Sequence, residues 1–229
     1  MTQKKQNNQT AINYLKSRNV EYLVHFTPID NLELIMKHGI LPRDQQKTKG
    51  VWTDSLRLDG HTDCSSLSVT YPNYCMLFQK RRRMGMNRFA VLMIDVDALA
   101  ELPDSDVAYF PTNAAEAGHS GFFSDNVGLN ALKGMFADYV PSRKQSVERA
   151  HQHLTDEFAT SPQAEILVRG QIPSKYIKKV FVTDDIAKWR ITSEFGNKLT
   201  VINTPKMFWP TNLAIWGGYE DERRSRYCG

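Results

Sequence analysis

The stretch YLVHFTPIDNLELIMKHGILPR, residues 22–43, decides the fold, because it predicts a strand, a turn and a helix in immediate succession. Residues 22–26 are apolar and β-prone around one polar side chain, His25, which is typical of a buried strand. A Thr-Pro pair then ends the strand. We expect Asp30 to cap the helix that follows, with Glu33 completing a capping box. The apolar face of that helix comprises Leu32, Ile35, Met36 and Ile40.

The rest of the chain mixes further strands with helices and contains no internal repeat. The apolar patterns predict strands at residues 66–71, 89–95, 165–168 and 179–183. Helices are predicted at residues 74–83, 130–136 and 143–158. Residues 103–124 are rich in Asn, Ser, Gly and Pro, which predicts a loop long enough to have a function.

Length and composition favour one compact domain. The chain has 229 residues, of which 41% are hydrophobic and 24% charged, so a sizeable core is expected. We divide it into a disordered lead-in at residues 1–10, a main domain at 11–186 and an extension at 187–229 that packs on the same domain. No apolar run reaches the roughly 20 residues of a membrane span, and the N-terminus lacks the features of a signal peptide. These features predict a cytoplasmic protein.

The three cysteines predict neither a disulfide framework nor a metal site. Their number is odd, and Cys64, Cys75 and Cys228 show no CxxC or His-paired spacing. We therefore expect reduced thiols and no metal.

Positive charge is concentrated in two places, although the net charge is only +4. One run comprises Lys80, Arg81, Arg82 and Arg83, and the other comprises Arg223, Arg224 and Arg226. Clusters of this kind attract phosphate groups. For a basic run taken alone, a solvated charged surface is the more common explanation.

Three separated features carry candidate chemistry. They are His25 inside an apolar strand, the turn at residues 71–74 (YPNY) and Glu165 at the start of another strand. Each has an ordinary structural explanation, since strand histidines are usually hydrogen-bonded, aromatic pairs usually lie in cores and strand-end glutamates are usually solvated. Their order along the chain favours a functional set.

With these features in that order, the sequence resembles the DarT family of DNA ADP-ribosyltransferase toxins. The matching blocks are residues 22–43 above, SLSVTYPNYCMLF at 66–78, TNAA at 112–115, and SPQAEILVRGQIPSKYIKKVFV at 161–182. The resemblance is discontinuous, runs from about residue 22 to 185, and gives no support to the tail. It implies an α+β ADP-ribosyltransferase fold, in which two small packed β-sheets with surrounding helices form a cleft that binds NAD as co-substrate.

The resemblance also implies a role for each candidate residue. Glu165 is the catalytic carboxylate, which stabilises positive charge on the ribose when the bond to nicotinamide breaks, as in glycoside hydrolysis. His25 hydrogen-bonds the NAD ribose, the backbone of Phe26 and Thr27 grips the nicotinamide amide, and a tyrosine stacks on nicotinamide. Tyr71 and Tyr74 both remain candidates for the stacking tyrosine.

The expected acceptor is a base in single-stranded nucleic acid, because a base must be unstacked to react. DNA is favoured, and RNA, including messenger RNA, is the alternative. Lys80, Arg81 and Arg82 are the candidate nucleic-acid contacts. Gln163, two residues before Glu165, keeps transfer to protein side chains open, and a non-catalytic binding module is a further alternative. The resemblance also implies a toxin of a toxin–antitoxin or phage-defence system, with an antitoxin partner.

Overall fold

The computed structural model describes residues 8–48, 60–115, 123–142, 146–152 and 154–209. Its α-helices are α1 Gln9–Ser17, α2 Leu32–His38, α3 Arg43–Thr48, α4 Tyr74–Met84, α5 Gly128–Gly134, α6 Arg149–Gln152 and α7 Asp185–Phe195. Its strands are β1 Tyr22–Pro28, β2 Cys64–Val69, β3 Phe89–Asp95, β4 Val107–Phe110, β5 Tyr139–Val140, β6 Val147–Glu148, β7 Glu165–Arg169, β8 Ile177–Val182 and β9 Thr200–Asn203. Within the described residues, no helix is long and apolar enough to cross a bilayer.

The main sheet consists of two halves that meet at a narrow junction. Its strand order is β4-β7-β2-β1-β3-β8-β9, while β5 and β6 form a separate pair. β1 pairs with β3 along its whole length but with β2 only at Leu23↔Val69 and Val24↔Ser68. Beyond Val24, β1 and β2 therefore separate. We name β4-β7-β2 the carboxylate half and β1-β3-β8-β9 the histidine half.

The two faces of this sheet are packed differently. Leu23, Leu67 and Ile166 lie in one large core shared with α1, α5 and α7. The opposite face, which we name the cleft face, has two smaller apolar clusters. The cluster on the carboxylate half includes Leu167, and the cluster on the histidine half includes Val24. Because side chains alternate between faces along a strand, Ser66 and Glu165 project from the cleft face.

Most predicted strands are confirmed, and β3 has the predicted bounds. The capping box is not formed: α2 begins after Asn31, which makes no side-chain cap. Asp30 instead accepts hydrogen bonds from Arg190 at 2.8 Å and Arg88 at 3.2 Å. The hydrogen bond from Arg190 lowers the pKa of the Asp30 carboxyl. Two arginines distant in sequence have displaced the local cap.

Two sequence expectations about other segments differ from the structure. The predicted loop at 103–124 contains strand β4. The tail adds a strand that the sequence did not predict, β9, which pairs in parallel with β8. The predicted helix at 143–158 is wrong, since its described part contains β6 and only the short α6. Arg149 explains this, because its guanidinium binds the carbonyl oxygens of residues 155 and 158 at 2.7 and 2.8 Å and turns the chain back.

Two other expectations concern residues at the chain ends. Most of the predicted lead-in at 1–10 lies outside the described residues, although α1 already begins at Gln9. The second basic cluster, Arg223, Arg224 and Arg226, also lies outside them.

Candidate active site

The Glu165 carboxylate is buried at the first position of β7, with 3% of the residue exposed. Ser66 Oγ donates to its Oε1 at 3.2 Å, and the backbone N–H of Ala114 donates to its Oε2 at 3.0 Å. A buried charge is costly unless polar groups hold it, and hydrogen bonds to a charged group are among the strong ones. Glu165 is therefore a fixed carboxylate with both oxygens oriented.

His25 lies on β1, on the other side of the gap from Glu165, and is half-buried. Its Nδ1 is 3.0 Å from the backbone oxygen of Ser66. A carbonyl oxygen only accepts, so this contact assigns a proton to Nδ1 and leaves Nε2 as the ring nitrogen that can face a ligand. Ser66 thus contacts His25 through its main chain and Glu165 through its side chain, which brings the two sequence-predicted residues into one site.

Phe26 and Thr27 follow His25 on β1. Phe26 is half-buried and meets the Phe89 ring edge-on, with 6.5 Å between the ring centroids. Thr27 is buried, and its Oγ1 accepts a hydrogen bond from Asn31 at 3.1 Å. Both side chains are thus engaged within the protein.

The two candidate tyrosines have different surroundings. The Tyr71 hydroxyl donates to the backbone oxygens of Lys206 and Trp209, and burial raises the pKa of this hydroxyl. Its ring also packs against Phe158, with 6.5 Å between centroids. Tyr74 is buried at the first position of α4. The structure therefore ties Tyr71 to the turn at residues 205–209.

The basic run on α4 separates into buried and exposed residues. Arg81 is 6% exposed, its Nε donates to the backbone oxygen of Met86 at 2.7 Å, and its guanidinium lies 4.8 Å from the Phe208 ring centroid. Arg82 is exposed and lies 5.9 Å from the Phe78 ring centroid, while Lys80 is half-buried. Arg81 has a structural environment, and Arg82 presents its charge to solvent.

Sequence reasoning missed Ser66 and Ala114, which hold Glu165. Ser66 lies in the predicted strand, and its alternation placed it on one face without indicating a partner. Ala114 belongs to the TNAA stretch, where Asn113 Oδ1 accepts the Ala115 N–H at 2.8 Å and shapes the turn. Their contacts with Glu165 span 99 and 51 residues, which no local pattern reveals.

One group of possible metal ligands lies at the start of β2. Donor atoms of His61, Asp63 and Cys64 all lie within 4.8 Å of one another. Asp63 is already paired with Arg169 at 2.7 Å. We assign this group no metal and no part in the reaction.

A fixed carboxylate and a histidine at the gap of a split sheet are the arrangement expected of an NAD-dependent ADP-ribosyltransferase. The family model of DarT, described as ssDNA thymidine ADP-ribosyltransferase, matches residues 24–209. The chain belongs to the DarT family. This match confirms the family, the fold and the enzyme class expected from the sequence, and the family's description names single-stranded DNA, the favoured acceptor.

Solved structures agree on the fold. The Thermosipho africanus DarTG structure in complex with ADP-ribose matches with a TM-score of 0.54 and 17% identity, over 84% of this chain and 52% of that chain. This chain thus spans about half the length of that relative. Thermus sp. 2.9 DarT in complex with NAD⁺ matches with a TM-score of 0.52 and 14% identity, over 82% of this chain and 98% of that chain.

A second Thermus sp. 2.9 DarT structure, in complex with ADP-ribosylated ssDNA, matches with a TM-score of 0.52 and 16% identity, over 83% of this chain and 97% of that chain. No curated protein sequence matches the chain.

Proposed function

We propose that the chain transfers ADP-ribose from NAD to the base of thymidine in single-stranded DNA, with Glu165 as its catalytic carboxylate. The observation that carries this proposal is the Glu165 carboxylate, buried and held by Ser66 and Ala114 beside His25. The family match supports the acceptor. The Thermus DarT complexes with NAD⁺ and with ADP-ribosylated ssDNA support both substrates.

The proposed reaction breaks one bond and forms one. The bond from ribose C1′ to the nicotinamide ring nitrogen breaks, and its electron pair leaves with nicotinamide, which departs neutral. Positive charge then develops on the ribose, where the ionised Glu165 stabilises it. Thymine in DNA has a single N–H, at N3, so N3 bonds to C1′ and its proton passes to the Glu165 carboxylate.

The histidine half supplies the proposed NAD contacts. His25 Nε2 accepts a hydrogen bond from a ribose hydroxyl, and the main chain of Phe26 and Thr27 holds the nicotinamide amide. Of the two tyrosines, we propose Tyr74 as the stacking ring, because the Tyr71 hydroxyl is bound to the turn at residues 205–209. These residues position the ribose for reaction.

The exposed end of α4 is the proposed contact for the DNA strand. A phosphate group attracted to Arg82 and Lys80 would lie along the helix that begins at Tyr74, roughly 9 to 12 Å from that residue. Arg81 supports this surface from inside through Phe208 and Met86. A single strand leaves its bases free to enter the cleft without the cost of unpairing.

We further propose that the protein is the toxin of a toxin–antitoxin system, that an antitoxin partners it, and that it acts in the cytoplasm, where it meets DNA. The likeness to the Thermosipho africanus DarTG chain supports the pairing. Residues 11–186 form the proposed catalytic domain. We propose that residues 187–209 belong to the same domain, which the pairing of β9 with β8 supports.

The test uses NAD labelled in its adenylate part and four oligonucleotides of equal length. These are single-stranded DNA with one thymidine, the same DNA without thymidine, its duplex, and the matched RNA. We expect label on the first only, and none with Glu165→Gln. Absence of label from every DNA would overturn the proposal. Preferential labelling of RNA would make RNA the acceptor in place of DNA. Labelling of lysate protein that survives nuclease treatment would make protein the acceptor.

A further inference from the structure

Asn73 lies between β2 and α4 and is 2% exposed. Its Oδ1 accepts the backbone N–H of Met76 at 3.2 Å, which makes it the N-cap of α4. Its own backbone N–H donates to Ser68 Oγ at 3.2 Å. These contacts fix the residue at both its main chain and its side-chain oxygen.

The other end of this amide is a buried donor. Asn73 Nδ2 has no hydrogen-bond partner within the described residues. The Met76 N–H determines which amide atom is the oxygen, so the nitrogen is assigned by the hydrogen-bond network. A buried donor without a partner is destabilising, and such a group in a folded protein calls for an explanation.

The surroundings of Asn73 place this residue next to the cleft face. Ser68 accepts the hydrogen bond from the Asn73 backbone. It lies two residues after Ser66 on β2, so both side chains project from the same face, about 7 Å apart along the strand. Ser66 contacts Glu165. Asn73 therefore lies beside the row of polar side chains that ends at the catalytic carboxylate.

The turn that carries Asn73 is held under backbone strain. Thr70 has a φ of 59°, which is unfavourable for a β-branched residue. Its Oγ1 donates to the backbone oxygen of Glu157 at 2.6 Å, and its N–H donates to that of Tyr22 at 3.1 Å. Strain of this kind persists where surrounding contacts enforce it, commonly at ligand sites.

On the basis of the proposed function, we propose that Asn73 is a ligand-binding residue, whose Nδ2 donates a hydrogen bond to a ring-borne carbonyl oxygen entering the cleft beside Glu165. Nicotinamide carries such an oxygen on its carboxamide, and thymine carries two beside N3. Both are neutral planar acceptors that suit an amide donor. Ligand binding thereby satisfies a donor that folding alone leaves unpaired.

Asn73→Asp separates the two ends of this side chain. Aspartate keeps the oxygen that caps α4 and lacks the N–H₂ donor, and an acidic residue favours a helix N-terminus. We expect at least tenfold weaker binding of one ligand in a variant that still unfolds cooperatively, with a lower melting temperature because the new carboxylate is buried. Asn73→Ser supplies a neutral helix cap without the amide and should also weaken binding of that ligand. Weaker binding in both variants shows that the loss in Asn73→Asp is not caused by repulsion from the new carboxylate.

Two binding measurements identify which ligand is held. Calorimetry gives the dissociation constant for NAD, and a fluorescent thymidine-containing oligonucleotide gives that for DNA. Weaker NAD binding assigns nicotinamide, and weaker DNA binding with normal NAD binding assigns thymine. Wild-type constants for both ligands in both variants would overturn the role of Asn73.

Matched controls come from two other residues. Ser65 Oγ is also buried without a partner in the described part of the chain, but Ser65 projects from the face opposite Ser66. Ser65→Ala should leave both dissociation constants unchanged. Asp184 caps α7 through the Ala187 N–H, and Asp184→Asn should also leave them unchanged. Wild-type transfer to DNA is measured in parallel, so failure of the proposed function is seen separately.

Discussion

The carboxylate and histidine halves of the sheet hold their functional groups in different ways. Glu165 is buried and fixed through both side-chain oxygens, whereas His25 is half-buried and oriented through one main-chain oxygen. A fixed carboxylate stabilises the positive charge that develops on the ribose in the transition state. A partly exposed imidazole ring can contact a bound ligand. Substitutions in the carboxylate half should therefore lower kcat, and substitutions in the histidine half should raise KM for NAD.

Glu165→Gln gives the largest expected effect. It keeps the shape of the side chain and removes the charge, so kcat should fall by roughly 10³-fold or more, at the upper end of losses measured for single electrostatic groups. The KM for NAD should stay within about threefold, because the carboxylate stabilises the bound ground state of NAD less than the transition state. Steady-state rates with a thymidine oligonucleotide measure both. A Glu165→Gln variant that keeps more than about a tenth of wild-type kcat would remove the distinction between the halves.

Ser66→Ala tests whether orientation of the carboxylate matters apart from its charge. Loss of one hydrogen bond to a charged group, worth about 1.5 to 3 kcal/mol, predicts a fall in kcat of about tenfold or more. Ser65→Ala is the control, since its hydroxyl has no partner within the described residues. Equal kinetics in the two alanine variants would contradict a positioning role for Ser66.

His25→Ala tests the other half. Loss of the ribose contact should raise the KM for NAD by about tenfold, equivalent to about 1.4 kcal/mol, and change kcat less. Direct measurement of NAD affinity by calorimetry should show the same change. A large fall in kcat with unchanged NAD affinity would instead place His25 in the chemical step.

Arg82→Ala has the smallest expected effect and sharpens the contrast between exposed and buried charge on α4. The variant should weaken DNA binding severalfold, and the slope of log affinity against log salt should fall by about 1, with unchanged NAD affinity. Arg81→Met should instead lower the melting temperature, because Arg81 holds Met86 and Phe208. An unchanged salt slope in Arg82→Ala would remove this residue from the DNA contact.

The sequence predicted the parts of the fold whose patterns are local. Strand β3 is a continuous apolar run with the predicted bounds, and β1 and β7 carry the predicted His25 and Glu165. The helix at 143–158 was wrong, because Arg149 makes carbonyl contacts that replace helical hydrogen bonds. Helical periodicity is visible in the sequence, whereas a side chain that captures main-chain oxygens is not.

The same distinction applies to the site. Residue type, chain order and the family resemblance selected Glu165 and His25 as candidates. The groups that hold Glu165 come from β2 and from the turn at Ala114, and only the sheet brings them together. The basic run appeared uniform in sequence, but helix geometry buried Arg81 and exposed Arg82. Which side chain faces the cleft is decided by tertiary packing.

Nucleoside mass spectrometry tests the central proposal most directly. The protein is incubated with NAD and single-stranded DNA, the DNA is digested to nucleosides, and the products of wild type and Glu165→Gln are compared. We expect one adduct, thymidine carrying ADP-ribose on N3, with wild type and none with the variant. An adduct on another nucleoside, or an undiminished thymidine adduct with Glu165→Gln, would contradict it.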